Sequence, residues 1–203
     1  MRVVIIDYGM GNIKSISSTL KYLGVDEIVV SNRHEDIKLA DKLILPGVGS
    51  FVEAMNKINE MQLCEILNEV VLNDKKPILG ICLGMQLLCK SSEEDGGAPG
   101  LAYIDAECKK FNTVNLKVPH VGFNQVQINP NCKIYEGFDA LIDFYFTHSY
   151  SLQSKDDIGQ SICHYGEEFI ASYEKENIVG TQFHPELSQT NGLKLLANFI
   201  DKF

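Results

Sequence analysis

The chain has 203 residues, 45% of them hydrophobic and 22% charged, with a formal net charge of -9. These values are typical of a globular protein and exclude a disordered or fibrous chain, while the acidic balance argues against a nucleic-acid groove, which needs a basic stripe. The length fits a single domain over residues 1–203, with enough chain for a substantial core.

The cysteine pattern and the N-terminus bear on the compartment. Six cysteines are spread along the chain without a Cys-x-x-Cys pair, so we expect neither a metal site nor a dense disulfide framework. The first apolar run is too short for a signal peptide and Asp7 interrupts it, and no segment is apolar enough to span a bilayer. We therefore expect a cytoplasmic protein with free thiols and neither a membrane nor a nucleic-acid partner.

The first half of the chain alternates strand patterns, loops and helical patterns. Apolar runs predict strands at Arg2–Ile6, Glu27–Ser31, Lys42–Leu45 and residues 79–82. Helical patterns are predicted at residues 13–23, with Gly24 as a C-cap, at residues 51–72, and directly after Cys82. This alternation predicts an α/β fold with a mostly parallel central sheet and helices on both faces.

From about Ala102 the predicted strands become shorter and turns more frequent. Strand patterns occur at residues 124–128, 144–150, 161–165, 169–174 and 178–183, with a hairpin expected around Gly166. A terminal helix is predicted at residues 192–203, and the turn-rich residues 91–97 are expected to form a surface loop.

A cysteine stands where a strand pattern meets a helical pattern. Cys82 lies between Gly80 and Gly84, and Gly-x-Cys-x-Gly at such a junction has the form of a nucleophile elbow. At the start of a helix the free backbone N–H groups favour a thiolate. A core cysteine at the end of a buried strand fits the same pattern, so this stretch alone leaves both interpretations open.

A histidine and a glutamate share one side of the chain near its end. Pro185 favours an extended conformation for His184, and residues two apart in an extended segment face the same way. This suits a base whose tautomer is set by the Glu186 carboxylate. A histidine before a proline is often only a loop residue, but together with the elbow it predicts a Cys-His-Glu relay.

Two glycine loops follow predicted strands. Lys14 and Val52 stand where a dinucleotide fingerprint needs a further glycine after Gly9-Met10-Gly11 and after Gly47-Val48-Gly49, and neither loop is a P-loop. The second loop fits a structural turn or an oxyanion loop equally well.

The remaining histidines give weaker signals. We expect His34 to be solvated and His164 to have a structural role on a strand. His120 and His148 fit two alternatives, residues that line the site or residues that are simply packed.

Together these segments resemble the class I glutamine amidotransferases, and within them the glutaminase subunits of imidazole glycerol phosphate synthase. The similarity runs in order along the whole chain and is carried by residues 6–12, 45–51, 80–88, 118–124, 145–150 and 182–186. The resemblance implies a flavodoxin-like fold and hydrolysis of glutamine to glutamate and ammonia, with no cofactor.

The resemblance also implies a role for each matching residue. Cys82 would be the nucleophile that forms a thioester, His184 its base and Glu186 the residue that orients the base. The oxyanion hole would come from Val48, Gly49 and Leu83. The residues that would hold the substrate glutamine are Gly47, Gln86, Glu94, His148, Ser149 and Tyr150.

A partner subunit is implied as well. Proteins of this type form a heterodimer with a HisF-type (β/α)8 cyclase, to which they channel ammonia in histidine biosynthesis. The family usually has a lysine after the glutamate of the triad, and this chain has Leu187, which puts the usual docking contact in question. The alternative acceptor is a sugar-modifying amidotransferase in surface polysaccharide biosynthesis, supplied by a paralogue of the subunit.

Three other interpretations fit the sequence less well. A catalytically silent regulatory module would have a damaged triad or oxyanion loop, and neither is visible. A cysteine peptidase-like hydrolase would lack the histidine and glutamate pair after a late strand. An anthranilate-type subunit usually has a histidine after the elbow's second glycine, where this chain has Met85.

Overall fold

A computed structural model describes residues 1–111 and 117–203 of the chain. The strands, in chain order, are β1 (Arg2–Ile6), β2 (Glu27–Ser31), β3 (Lys42–Leu45), β4 (Ile78–Ile81), β5 (Cys89–Ser92), β6 (Ala98–Pro99), β7 (Ile104–Lys110), β8 (His120–Gln127), β9 (Leu141–His148), β10 (Tyr150–Gln153), β11 (Gln160–Tyr165), β12 (Glu167–Lys175) and β13 (Ile178–Thr181). The α-helices are α1 (Ile13–Tyr22), α2 (His34–Lys38), α3 (Phe51–Glu60), α4 (Leu63–Leu67), α5 (Leu83–Leu87) and α6 (Gln189–Lys202), and a π-helix (Asn68–Asn73) continues α4. Short 3-10 turns are formed by Glu94–Gly96, Lys133–Tyr135 and Pro185–Leu187.

The centre of the sheet is parallel, in the order β2-β1-β3-β4-β13. Alternate residues of β1 enter two separate cores, since Val4 packs with residues of α3 and α4 and Val3 packs with residues of α1 and α6. Helices therefore cover both faces, which explains why the central strands read as continuous apolar runs. The predicted α/β fold is confirmed.

Antiparallel strands extend this centre on one side. β12 pairs with β13, and the order continues through β10, β7, β5 and β6, with only β5 and β7 parallel in this part. A second branch leaves β12 through β11 to β8 and β9. The hairpin around Gly166 is present, and its positive φ of 73° explains the glycine. This branch supplies one wall of the site described below.

Strands β6 and β7 and helix α2 were not predicted, the predicted strand over residues 144–150 is divided between β9 and β10, and three predicted elements differ in a way that has a local cause. The predicted helix over residues 51–72 is interrupted after Glu60, because Gln62 adopts a left-handed conformation. The terminal helix begins at Gln189, so Gly192 lies within it. This position needs a glycine because a Cβ there would come 1.8 Å from the Pro185 carbonyl oxygen. The predicted loop at residues 91–97 contains the end of β5 and a 3-10 turn.

No helix within residues 1–111 and 117–203 has both the length and the apolar character needed to cross a membrane.

Candidate active site

Cys82 stands at the junction of β4 and α5 in a strained backbone conformation. Its φ is 54° and its ψ is -110°, a region that L residues other than glycine rarely adopt. Its N–H donates to the Thr181 carbonyl at 2.7 Å, which ties the elbow to the end of the neighbouring strand β13. Strain of this kind is found where a side chain has to be presented for chemistry.

The two glycines of the elbow are needed for close packing. A Cβ on Gly84 would lie 1.8 Å from the Leu45 carbonyl oxygen, and one on Gly80 would lie 2.7 Å from the Gly84 oxygen. Helix α5 therefore packs directly against the backbone of β3, which no larger residue would permit. The two glycines of the Gly-x-Cys-x-Gly pattern are therefore needed for close backbone packing as well as for the turn.

His184 and Glu186 form a buried pair just beyond β13. His184 is extended, with φ -98° and ψ 97°, and its Nδ1 lies 2.9 Å from Glu186 Oε1. The two side chains are only 3% and 0% exposed. A carboxylate accepts, so Nδ1 carries the proton and Nε2 is left for the reacting group. Here the structure brings together two residues that the sequence predicted to act together.

Cys82 and His184 meet because β4 and β13 are parallel neighbours, with Ile81 beside Thr181. Burial lowers the pKa of His184, but the adjacent Cys82 sulfur and the Glu186 carboxylate outweigh it and raise the pKa. Among the described residues, Nε2 has no partner in hydrogen-bonding alignment. The sulfur and the ring are therefore neighbours that still have to align, as is common before substrate binds.

Asn12 contacts the Glu186 carboxylate, and the sequence reasoning gave it no role. Its Nδ2 donates to Glu186 Oε1 at 3.1 Å, so it shares that oxygen with His184. The other oxygen, Oε2, is buried and has no hydrogen-bond partner in the described part of the chain. Asn12 lies 174 positions from Glu186, and no sequence signal joins the two.

An open cavity of about 310 Å³ lies beside the Cys82 sulfur, within the range of ligand pockets. It is lined by Val48, Gly49, Cys82, Leu83, Gln86, Glu94, Pro119, Thr147, His148, Ser149 and Tyr150. All the residues predicted for the oxyanion hole are among them, as are all the predicted substrate residues except Gly47. Pro119 and Thr147 were not predicted.

Gly47 lies beneath the cavity wall. A Cβ there would come 2.7 Å from both the Gly84 nitrogen and the Tyr8 hydroxyl oxygen. The Tyr8 hydroxyl donates to the Pro46 carbonyl at 2.7 Å, and burial raises the pKa of Tyr8. This contact fixes the start of the loop that carries Val48 and Gly49.

The first glycine loop packs against the second. A Cβ on Gly11 would lie 2.8 Å from the Pro46 side chain, and one on Gly49 would lie 2.9 Å from Met10 Cε. Gly49 has a φ of 106°, which favours glycine. Met10 and Gly11 therefore support the candidate oxyanion loop, which accounts for Gly11 without a phosphate.

Glu94 and Gln86 are held at the cavity wall. Glu94 Oε2 accepts from the Phe51 N–H at 2.8 Å, while burial raises the pKa of this carboxyl. The Gln86 amide nitrogen donates to the Tyr150 carbonyl at 3.1 Å and to Gln182 Oε1 at 2.9 Å. The Gln182 nitrogen therefore faces the Cys82 sulfur, at 3.7 Å, and Gln182 is a second unpredicted residue of the site.

The histidines separate into two groups. His34 is exposed, as expected, whereas His164, for which a structural role was expected, lies on β11 with its residue exposed. His120 and His148 are buried opposite each other on β8 and β9, with ring nitrogens 3.0 Å apart. Both nitrogens of His148 contact protein groups, so this residue lines the cavity but directs no free nitrogen into it.

The arrangement is that of a cysteine nucleophile, a histidine base and an orienting carboxylate at the carboxyl ends of parallel strands. The family model for "Glutamine amidotransferase class-I" matches residues 4–203. The chain belongs to this family.

Among individual proteins, the chain is similar to subunits of one particular synthase and to a solved amidotransferase structure. The chain is 46% identical over 199 residues to "Imidazole glycerol phosphate synthase subunit HisH 1" of Campylobacter jejuni (strain RM1221), covering 98% of each chain. It is 44% identical over 202 residues to "Imidazole glycerol phosphate synthase subunit HisH 2" of Vibrio vulnificus (strain YJ016), covering 99% of this chain and 94% of that one. A crystal structure described as a glutamine amidotransferase superposes with a TM-score of 0.75 at 18% identity, over 98% of this chain and 97% of the other, which shows a shared fold.

Proposed function

We propose that this chain, as one domain over residues 1–203, is the glutaminase subunit of an imidazole glycerol phosphate synthase. It hydrolyses glutamine to glutamate and ammonia and delivers the ammonia to a partner. The observation that carries the proposal is the Cys82 sulfur beside the His184–Glu186 pair, at the wall of a cavity that also contains Glu94 and Tyr150. The names of the relatives support the pathway.

The first half of the reaction makes a thioester. His184, as an imidazolium, holds the proton that the Cys82 thiol has given up, and the sulfur attacks the carbon of the glutamine side-chain amide. The negative charge that forms on the amide oxygen is stabilised by N–H groups of the loop at Val48 and Gly49 and by that of Leu83. The imidazolium of His184 then gives its proton to the departing nitrogen, so ammonia leaves and the γ-glutamyl group stays on the sulfur.

The second half releases glutamate. A water molecule gives a proton to His184 as its oxygen attacks the thioester carbon, and the carbon–sulfur bond breaks. The proton then returns to the sulfur, which restores Cys82. Glu186 stabilises the imidazolium in both halves, and Asn12 holds the carboxylate toward the ring. At the other end of the substrate, Glu94 suits the α-ammonium group.

The partner is proposed to be a HisF-type (β/α)8 cyclase that forms a heterodimer with this chain. Ammonia released into bulk water would be protonated and lose its nucleophilic character, so a sealed path to the acceptor is expected. Exposed apolar side chains flank the triad segment: Val121 and Phe123 on β8 are 58% and 51% exposed, and Leu187 is 41% exposed. Such a patch beside a site is typical of an interaction surface.

The patch is joined directly to the triad. Tyr145, which packs against Phe123 with ring centroids 5.5 Å apart, accepts the backbone N–H of His184 at 2.9 Å. Its own N–H donates to the Ser188 hydroxyl, which in turn donates to the His184 carbonyl at 2.6 Å. A partner seated on Phe123 and Leu187 would therefore touch the segment that carries the base.

All six cysteines are free, which fits a cytoplasmic reaction.

One observation favours a second acceptor with the same chemistry. Leu187 follows the triad glutamate where the family usually has a lysine, and it lies exposed within the proposed docking patch. A barrel partner with an apolar rather than an acidic contact at this point would suit it. That partner would be the sugar-modifying amidotransferase of surface polysaccharide biosynthesis.

The test is glutamate release by wild type and Cys82→Ala, each mixed with a candidate barrel subunit carrying its nucleotide ligand. We expect the partner and its ligand to stimulate the wild type and Cys82→Ala to be inactive. An unchanged rate in Cys82→Ala would defeat the proposal. Stimulation by the sugar-pathway subunit but not by the histidine-pathway cyclase would select the second acceptor.

A further inference from the structure

We propose that His120 and His148 are positioning residues for the glutamine cavity, because they form a one-directional chain of N–H donors that ends on the Tyr150 carbonyl and thereby holds Gln86. The inference rests on the proposed glutaminase function and adds residues to it. Neither histidine offers a free ring nitrogen to the substrate.

The far end of the chain fixes its direction. Asn124 Oδ1 accepts the N–H of Gln125 at 2.8 Å, and its Nδ2 donates to the His164 carbonyl at 3.0 Å. A carbonyl only accepts, so the orientation of this amide is settled. The remaining proton of Nδ2 points to His120 Nε2 at 3.2 Å, which therefore accepts. A neutral His120 then carries its own proton on Nδ1.

The near end gives the same direction independently. His148 Nδ1 lies 2.8 Å from the Tyr150 carbonyl, which again only accepts, so this nitrogen carries the proton. His148 Nε2 is then unprotonated and accepts from His120 Nδ1 at 3.0 Å. Two separate anchors thus require one pair of tautomers, and each ring nitrogen has its partner.

The surroundings keep both rings neutral. His120 is stacked between Phe146 and Tyr165, with centroids at 4.9 and 4.0 Å, and Phe111 and Phe169 enclose the pair. Burial lowers the pKa of His120 to about 4 and that of His148 to about 3. Protonating either ring would place two donors against each other, so the chain works only when both rings are neutral.

The chain ends at a branching point of the site. The Tyr150 carbonyl accepts from His148 and also from the Gln86 amide, whose second proton goes to Gln182. Gln182 in turn faces the Cys82 sulfur. Removing the His148 donor leaves the Tyr150 carbonyl with one hydrogen-bond partner fewer. Gln86 and Tyr150, which form this wall of the cavity, are then held less firmly in place. The expected loss is in glutamine binding, with little change in the chemistry at the sulfur.

The experiment compares His148→Phe, which keeps an aromatic ring and removes both nitrogens, with His148→Asn, whose amide can still donate to the Tyr150 carbonyl. His120→Phe keeps the stack on Phe146 and removes the donor one step back. His34→Gln, on the exposed surface, is the histidine control. Steady-state glutaminase kinetics are measured with the partner subunit present, and glutamine binding is measured by calorimetry in a Cys82→Ala background.

We expect His148→Phe to raise KM for glutamine about tenfold with kcat within about twofold, the effect of one lost buried hydrogen bond. His120→Phe should raise it less, His148→Asn should recover most of the loss, and His34→Gln should match wild type. Unchanged KM in His148→Phe would overturn the inference. So would equal losses in His148→Phe and His148→Asn that follow their thermal stability, because that result indicates a packing role alone.

Failure of the proposed function would look different. If wild type released no glutamate while glutamine bound to the Cys82→Ala protein about tenfold more tightly than to its His148→Phe derivative, the glutaminase proposal would fail and the positioning role would stand. If glutamine bound neither protein, both would fall.

Discussion

Replacing Glu186 by glutamine tests how the triad shares its charge. The substitution keeps the size of the side chain and removes the negative charge that accepts from His184 Nδ1 at 2.9 Å. Burial lowers the pKa of His184, while the Cys82 sulfur and the Glu186 carboxylate raise it. Without the carboxylate, only the sulfur counteracts the lowering of the His184 pKa by burial, so the imidazolium becomes harder to form.

The size of the effect follows from one charge-assisted hydrogen bond. Such a bond contributes about 1.5–3 kcal/mol, which corresponds to roughly 10- to 100-fold in kcat if it acts in the transition state. The pair is buried, so solvent does not screen this loss. The amide of the new glutamine is also free to turn its N–H toward Nδ1, which would favour the wrong tautomer and add to the loss.

The pH profile provides the second signature. A raised His184 pKa keeps the imidazolium present at neutral and mildly alkaline pH, and the activity falls only as the pH rises through that pKa. Glu186→Gln lowers the pKa, so this alkaline limb should move to lower pH.

The assay is glutamate release by wild type and Glu186→Gln with the partner subunit, across the alkaline range. Glu60→Gln, at the exposed end of α3, serves as a control with the same change of charge outside the site and the docking patch. A variant with the wild-type kcat and an alkaline limb that has not moved would refute the assigned role of the carboxylate.

Four further predictions follow from particular contacts. Asn12→Ala should lower kcat about three- to tenfold, because it removes a donor to the triad carboxylate, and Asn12→Asp should lower it further through repulsion, both read from kinetics. Gly84→Ala should destabilise the protein by roughly 3 kcal/mol or more in denaturant unfolding, because its Cβ would meet the Leu45 carbonyl at 1.8 Å, whereas Gly24→Ala, with open space around it, should cost only the roughly 1 kcal/mol of a left-handed residue. Leu187→Asp should weaken partner binding about tenfold in calorimetry while leaving the thermal stability of the isolated chain unchanged. Stability should fall as the pH drops below about 6.5 toward 4, by up to ~1.4 kcal/mol per pH unit for each of His120 and His148, because the unfolded histidines bind protons that the two folded rings exclude, and His148→Phe should show a shallower fall.

These predictions fail in separate ways. Wild-type kinetics in Asn12→Asp would mean that the carboxylate is held by other groups. Equal stability of the two glycine variants would mean that α5 can move away from β3. An unaffected Leu187→Asp complex would place the partner elsewhere, and parallel pH curves would mean that the paired histidine does not exclude protons.

Much of the fold could be predicted because its elements have local signals. The strands at Arg2–Ile6, Glu27–Ser31 and Lys42–Leu45 were predicted with their observed bounds, since each contains an apolar run, and the first and third are buried on both faces. The break after Glu60 was missed because apolar periodicity continues through it, while the cause is the positive φ of Gln62. Periodicity carries no information about a single backbone dihedral angle.

The site shows the same limit. The elbow and the His-x-Glu pair have sequence patterns of their own, and the structure places them side by side. Asn12 and Gln182 have none, since they reach the triad only through the pairing of distant elements. The His120–His148 chain likewise depends on the cross-strand register of β8 and β9, which brings the rings within 3.0 Å. Sequence reasoning could therefore name both histidines but could not assign what they hold.

The most direct test of the account is the mass of the acyl-enzyme. The protein is mixed with its partner and glutamine, quenched in acid during turnover and analysed by intact-mass and peptide mass spectrometry. We predict the addition of one γ-glutamyl group, located on the peptide that contains Cys82, absent from Cys82→Ala and retained in Cys64→Ala, whose thiol is part-exposed and outside the site. Glutamate release at the wild-type rate with the adduct on another residue would contradict the account. So would glutamate release by Cys82→Ala with no adduct on the protein.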